Sequence, residues 1–275
     1  MKLLLLDNPA WLTTFPHRVT PLPDEWLAGL LLRCDEVNHW ESRTTLTHLL
    51  ASGPEKFHRC WRTENPYLVL IQPCSLNLEY LAKRLSVPTT TLLATTYHKE
   101  LLSLYDQEKP HPRLLGASFL FHLCPVCLSE ARLLRRLLTL PSITHCPQHQ
   151  VTLLSQCRCG TPLRLFRASA RPFTCHICGL DWTALPRIEA DRSHMALEQK
   201  MLTWYEFFFS RGTPVIIRSA LQLMTGSTRR RMPLSELVTL LVQRGRSPQS
   251  ILDWTDRAAR LHMRKTQRER NMTVG

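Results

Sequence analysis

Four short pairs between residues 124 and 178 decide how this chain is read: Cys124-Pro-Val-Cys127, Cys146-Pro-Gln-His149, Cys157-Arg-Cys159 and Cys175-His-Ile-Cys178. They use seven of the ten cysteines, and eighteen residues separate the first two pairs while fifteen separate the last two. Zinc takes four tetrahedral ligands, and two donors separated by two residues reach one ion from a single tight turn. The pattern therefore predicts two zinc sites, Cys124, Cys127, Cys146 and His149 in the first and Cys157, Cys159, Cys175 and Cys178 in the second. Each set supplies four donors and leaves no position for water, which is the structural kind of site rather than the catalytic kind.

Three more imidazoles, His122, His145 and His176, lie nearby. His149 is preferred because it repeats the two-residue spacing with Cys146. Disulfides are the competing use of the cysteines, but no charged segment, apolar run and small-residue cleavage site signals secretion, so the expected compartment is the reducing cytoplasm. Cys34, Cys60 and Cys74 stand alone among apolar or mixed neighbours and read as ordinary buried thiols.

With 275 residues, 44% of them hydrophobic, the chain can form one large or two modest domains. Its apolar runs fall well short of the roughly 20 residues that span a bilayer, so no membrane association is expected. The formal charge of +13 is uneven: residues 1–122 carry 12 basic and 12 acidic side chains, residues 123–228 carry 12 and 6, and residues 229–275 carry 11 and 4. Filling both zinc sites would lower the total to about +10, leaving the excess in the middle and C-terminal parts. That distribution favours a polyanionic partner there, DNA or RNA; a soluble basic surface is the plain alternative.

Pro9, Pro16, Pro21 and Pro23 predict an extended arm over residues 1–20, on which Trp11 and Phe15 are candidate anchors for a partner or for the chain's own helices. Asp24 then reads as the N-cap of a core-facing helix carrying Trp26, Leu27, Leu30, Leu31 and Cys34, with Arg33 on its polar edge. Residues 75–97 form two short helical patterns joined at Ser86-Val87-Pro88, which is helix-turn-helix-like, with Ala82 at the crossing. Because this third of the chain has no net charge, the unit reads as scaffold or docking surface before DNA reader. The expected fold class is mainly α with small zinc-ribbon β elements. It comprises the arm, a helix-turn-helix-like helical domain over 21–122, tandem zinc fingers over 123–186 and a basic helical domain over 187–275.

In the last of these, helices are expected over His194 to Phe209, Leu234 to Val242 and Ile251 to Met263, with Ser247-Pro248 opening the third. A hinge of Gly226 to Pro233 contains Arg229, Arg230 and Arg231. Those three arginines, with Arg257, Arg260 and Arg264 on the final helix, are the candidate nucleic-acid contacts.

The ordered set Cys-x-x-Cys, Cys-x-x-His, Cys-x-Cys-Gly, Cys-x-x-Cys, preceded by Pro23-Asp24-Glu25-Trp26-Leu27 and Arg33, resembles the TniQ family from about Pro21 to Trp182. Leu137 and Leu138 depart from it, standing where many relatives carry an aromatic. The resemblance implies a target-selection factor for transposition that connects a target-recognising component to the AAA+ ATPase TnsC. At this length the chain is similar to relatives that attach to a CRISPR effector complex with guide RNA, rather than to longer TnsD-type readers of a fixed DNA site. A homodimer is compatible with either. A second class of function is a zinc-containing, sequence-specific DNA-binding regulator. An enzyme is disfavoured: the sequence has no open metal shell, no carboxylate cluster and no Gly-rich nucleotide loop.

Overall fold

The computed structural model describes residues 15–51, 70, 76–105, 115, 121–140, 142–167, 169–226 and 232–273. These residues are mainly helical. Among the described residues, the one hairpin with regular strands pairs β1 (His145–Cys146) with β2 (Val151–Thr152) in antiparallel register, His145 opposite Thr152 and Cys146 opposite Val151.

Helix α1 (Leu27–Val37) is the innermost element. Its residues Leu27 through Leu32, with Cys34 and Asp35, are all buried, so it is enclosed on every side rather than along one stripe. Asp24 does not cap it. The helix starts two residues later, from Trp26, with no side-chain cap, and Asp24 sits in a turn at φ 57°. The reason is tertiary: the first amides, which lack partners inside any helix, find distant carbonyls. Trp26 N–H donates to Leu134 O at 2.8 Å and Leu27 N–H to Thr95 O at 2.9 Å. At the other end Asn38 Nδ2 donates to both Cys34 O and His17 O, tying the arm to the helix terminus.

Helix α2 (Thr44–Ala51) packs on α1, and Asp35 fixes the turn between them by accepting from Arg43 N, Thr45 N and Thr45 Oγ1. Helices α3 (Leu78–Leu85) and α4 (Thr89–Leu93) form the expected pair across Ser86-Val87-Pro88, with Asn77 capping the first and Ser86 left-handed at φ 57°. Only five residues make up α4, and its Leu92 is buried. Helix α5 (His98–Leu104) follows.

The metal region opens with α6 (Pro125–Ala131), which stops where Arg132 turns left-handed at φ 53°. The leucine- and arginine-rich stretch after it is thus extended from Leu133 to Arg135 before a 3-10 turn, Arg136–Thr139. The C-terminal part contains α7 (Arg192–Arg211), α8 (Pro214–Thr225), α9 (Leu234–Gln243) and α10 (Pro248–Thr273). Helix α8 was not legible as an element, although Thr213 caps it and Pro214 occupies its first turn. It changes the packing: α10 lies chiefly against α8, and α9 against α7 and α8. Helices α7 and α8 also rest on α5, where Gly212 leaves no room for a Cβ beside Leu104. One continuous apolar core runs from Phe15 through the metal region to Ile251.

Candidate metal centres

The first four donors come from two turns. Cys124 is the N-cap of α6 and Cys127 lies in its first turn, Pro125 presetting the helical φ between them; Cys146 ends β1 and His149 follows in the loop of the hairpin. The separations are 3.7 Å between the sulfurs of Cys127 and Cys146, and 3.4, 3.3 and 3.4 Å from His149 Nδ1 to the sulfurs of Cys124, Cys127 and Cys146. A tetrahedron with metal–sulfur bonds of about 2.3 Å and metal–nitrogen bonds of about 2.0 Å has edges of roughly 3.8 and 3.5 Å. The donor set fits a tetrahedral ion of that size.

Groups outside the shell orient it. Nε2 of His149 faces Glu130 Oε2 at 3.1 Å, the carboxylate–imidazole arrangement that fixes which nitrogen turns to a metal. Arg135 Nε donates to Cys127 Sγ at 3.3 Å. Contacts with Cys124 and Cys146 push the Cys127 thiol up, while contacts with Cys124 and Cys127 hold Cys146 down, so the thiols divide their protons unequally unless a cation lets all three ionise.

His145 is not part of the set. Its Nδ1 lies 3.0 Å from Glu198 Oε1, and Glu198 also accepts from Thr144 N at 3.0 Å and His145 N at 3.1 Å. Helix α7 thereby grips β1 one residue before Cys146. The sequence does carry this signal: Glu198 falls on the same helical face as buried Met201, Leu202 and Tyr205, where a carboxylate needs a partner.

The second set is built from two knuckles facing each other, with Cys157 and Cys178 sulfurs 3.6 Å apart and those of Cys159 and Cys175 3.7 Å apart. All four donor atoms fall within 4.8 Å of one another, as do those of the first set. Gly160 and Gly179, directly after a cysteine in each knuckle, adopt φ 80° and 71°, which glycine reaches without strain. Cys157 and Cys175 are buried, whereas Cys159 and Cys178 are exposed. Phe173 and Trp182 pack edge to face beneath this ribbon, both essentially buried. Arg132 reaches across to hold Asp181 at 2.8 and 2.9 Å; despite burial, that grip and the Thr183 donors keep the Asp181 carboxyl down at about 2.

Residues 16–153 match the family model for TniQ, just over half of the chain. The chain belongs to the TniQ family. Among curated proteins none matches it. TniQ membership implies a transposition-related target-selection protein, one that works with transposition machinery and DNA. The match contains the first donor set entire and ends before Cys157, so the second ribbon lies beyond the part that the family model covers.

The TniQ signature at the opening helix has a structural use. Glu25, fully buried, accepts from Arg33 through both oxygens at 2.7 and 2.8 Å and from Leu22 N at 2.9 Å, while Arg33 also donates to Thr20 O. Asp24 O accepts from Arg136 N at 2.7 Å, and Glu25 bridges to Arg135. These residues fasten the stretch after the first knuckle to the start of α1.

The other candidate contacts are placed as follows. Phe15 is buried and meets Trp40 edge to face at 5.3 Å, so its ring is engaged with the chain's own core. Trp11, Arg229, Arg230, Arg231 and the Arg264 side chain lie outside the described residues. Arg257 and Arg260 are exposed on α10. Among the described residues, no helix is long and apolar enough to cross a membrane.

Proposed function

We propose that this TniQ protein is a non-catalytic, cytoplasmic adaptor that joins an RNA-guided CRISPR effector complex to the AAA+ ATPase TnsC, and so directs a transposase to its target. The observation that carries this reading is the family match over residues 16–153, which includes the opening helix and the complete first donor set. The chemistry of the donors supports the rest. Each set closes a tetrahedron with thiolates and, in the first, one imidazole, the ligand types zinc prefers for structural sites. Zinc bound there contributes folding free energy and holds the knuckles in place; recognition falls to the surface around them. Trp11, Arg229, Arg230, Arg231, Arg257, Arg260 and Arg264 remain the proposed contacts for partners and nucleic acid.

A reading as a sequence-specific DNA binder, either a regulator or a TnsD-like attachment-site protein, has the exposed arginines of α10 in its favour. Co-expression with TnsC and the effector complex separates the two. Capture of both partners by the intact chain is expected; capture of neither, together with a sequence-specific gel shift that survives high salt, would replace the adaptor with the regulator.

A further inference from the structure

No Asp or Glu occurs between Glu130 and Asp181, and that interval contains seven arginines: 132, 135, 136, 158, 164, 167 and 171. The structure divides them. Arg132 pairs with Glu36 and Asp181, Arg135 and Arg136 face Asp24, and Arg136 also holds Glu100 at 2.7 Å. Carboxylates brought from elsewhere in the chain thus neutralise the arginines around the first metal centre. Arg158, Arg164, Arg167 and Arg171 are all exposed, and none has a carboxylate within 4.0 Å among the described residues.

Their outward aim follows from the pleat. Backbone bonds between Leu163 N and Ser155 O and between Cys157 N and Thr161 O close a hairpin around the first knuckle. Leu163 and Leu165 are buried in the core, so Arg164 between them faces the other way. Phe166, left-handed at φ 55°, is buried in turn and leaves Arg167 outside. Arg158, the middle residue of the knuckle that this hairpin encloses, is exposed as well. Four thiolates around a divalent ion leave about −2 at the centre, which four guanidinium groups still exceed.

We infer that the second metal ribbon presents, through Arg158, Arg164 and Arg167, a binding face for the phosphate backbone of duplex DNA. This rests on the target-selection reading only in taking DNA, rather than another polyanion, as the ligand. Guanidinium forks match phosphate oxygens, and a hydrogen-bonded hairpin bearing them needs no backbone ordering on binding. Because such contacts read no bases, the face supplies affinity and orientation without sequence preference.

The test is fluorescence anisotropy of a random-sequence duplex against the full, metal-loaded chain over a series of salt concentrations. Each phosphate contact adds roughly 0.9 to the slope of log K against log salt. The triple variant Arg158→Ala, Arg164→Ala, Arg167→Ala is expected to lower that slope by about 2 to 3 and affinity at 0.15 M salt by on the order of 100-fold. The corresponding triple lysine variant is expected to keep most of the slope. Metal content and circular dichroism are measured on each; should the alanine triple lose metal, Arg164→Ala alone, expected to lower the slope by about 1, serves in its place. An unchanged slope in folded, metal-loaded variants overturns the inference, as does an equal loss in the lysine variant or a preference for RNA over duplex DNA. Capture of TnsC and the effector is read separately, so loss of DNA affinity with partner capture intact, or the reverse, tells the two proposals apart.

Discussion

The two candidate metal centres have similar donors and opposite surroundings. Around the first, two distant parts of the chain converge: the start of α1 receives Leu134 and Arg136, and α7 grips β1 through Glu198, while Glu130 and Arg135, near in sequence, touch the side chains of His149 and Cys127. Around the second, two ligand cysteines are exposed, the turns depend on glycines, and attachment runs through Phe173, Trp182 and the Arg132–Asp181 pair. Donors of like chemistry therefore sit in different settings. The first set lies where elements of the core converge, and the second lies in a ribbon with two of its four donors exposed.

The strongest way to break that comparison is to remove one ligand from each. Cys127→Ser is expected to abolish one bound ion and cooperative unfolding of the helical core, since structural zinc contributes on the order of 10 kcal/mol, comparable to a domain's whole stability. Cys178→Ser should also cost one ion yet leave the helical circular dichroism and its melting largely intact. Equal loss of helicity in both variants would show the two centres to be equivalent.

Glu198→Ala probes the link between α7 and the first centre. It strands the buried amide of His145, an unsatisfied donor costing about 1–3 kcal/mol, while the amide of exposed Thr144 can turn to water; chemical denaturation should register the loss. Arg132→Ala, at the better solvated link to the second ribbon, should cost roughly 1 kcal/mol or less. A reversed order would place the tighter joint at the ribbon.

A pH titration separates the core from the metal ligands. Burial, which outweighs the donors from Thr45 and Arg43, raises the Asp35 carboxyl from 3.8 to about 7. Between those values the folded chain holds a proton that the unfolded chain has released, so this group's contribution to stability falls as pH rises from about 4 towards 7. Asp35→Asn should remove that decline, up to one proton taken up on folding; a slope unchanged in the variant would assign it elsewhere. The knuckle turns carry the comparison to the backbone. Gly179→Ala should cost about 1–2 kcal/mol, whereas Gln150→Gly, at the left-handed residue after His149, should be neutral or stabilising by up to about 1 kcal/mol. Matching penalties for the two substitutions would mean that backbone conformation does not distinguish the centres.

The donor sets were legible because ligand spacing is local: each pair is a single turn, and chemistry dictates its residue types. Long amphipathic helices such as α7 were legible for the same reason. What local reasoning missed was long-range satisfaction of polar groups. Asp24 has the composition of an N-cap, but Leu134 and Thr95 supply carbonyls that make a side-chain cap unnecessary. Leu128 to Leu140 has enough leucine to read as one element, but Arg132 turns the chain so that the following residues meet α1. Helix α8 carried a Thr-Pro start and was hidden between a longer helix and the arginine-rich hinge. The division of the arginines into neutralised and free could not be seen at all without knowing which carboxylates arrive from other elements.

Gly29 shows how far the fold depends on that late-arriving stretch. A Cβ there would lie 3.0 Å from Leu134 Cβ, so the helix and the segment after the first knuckle are in direct contact, although about a hundred residues of sequence separate them. On a ribosome making about 5–20 residues per second, α1 waits roughly 5–20 s for this partner to be synthesised. During that interval a helix made to be enclosed on every side has nothing to cover the face at Gly29. The nascent N-terminal part must therefore be shielded or kept unfolded until the segment after the first knuckle has emerged.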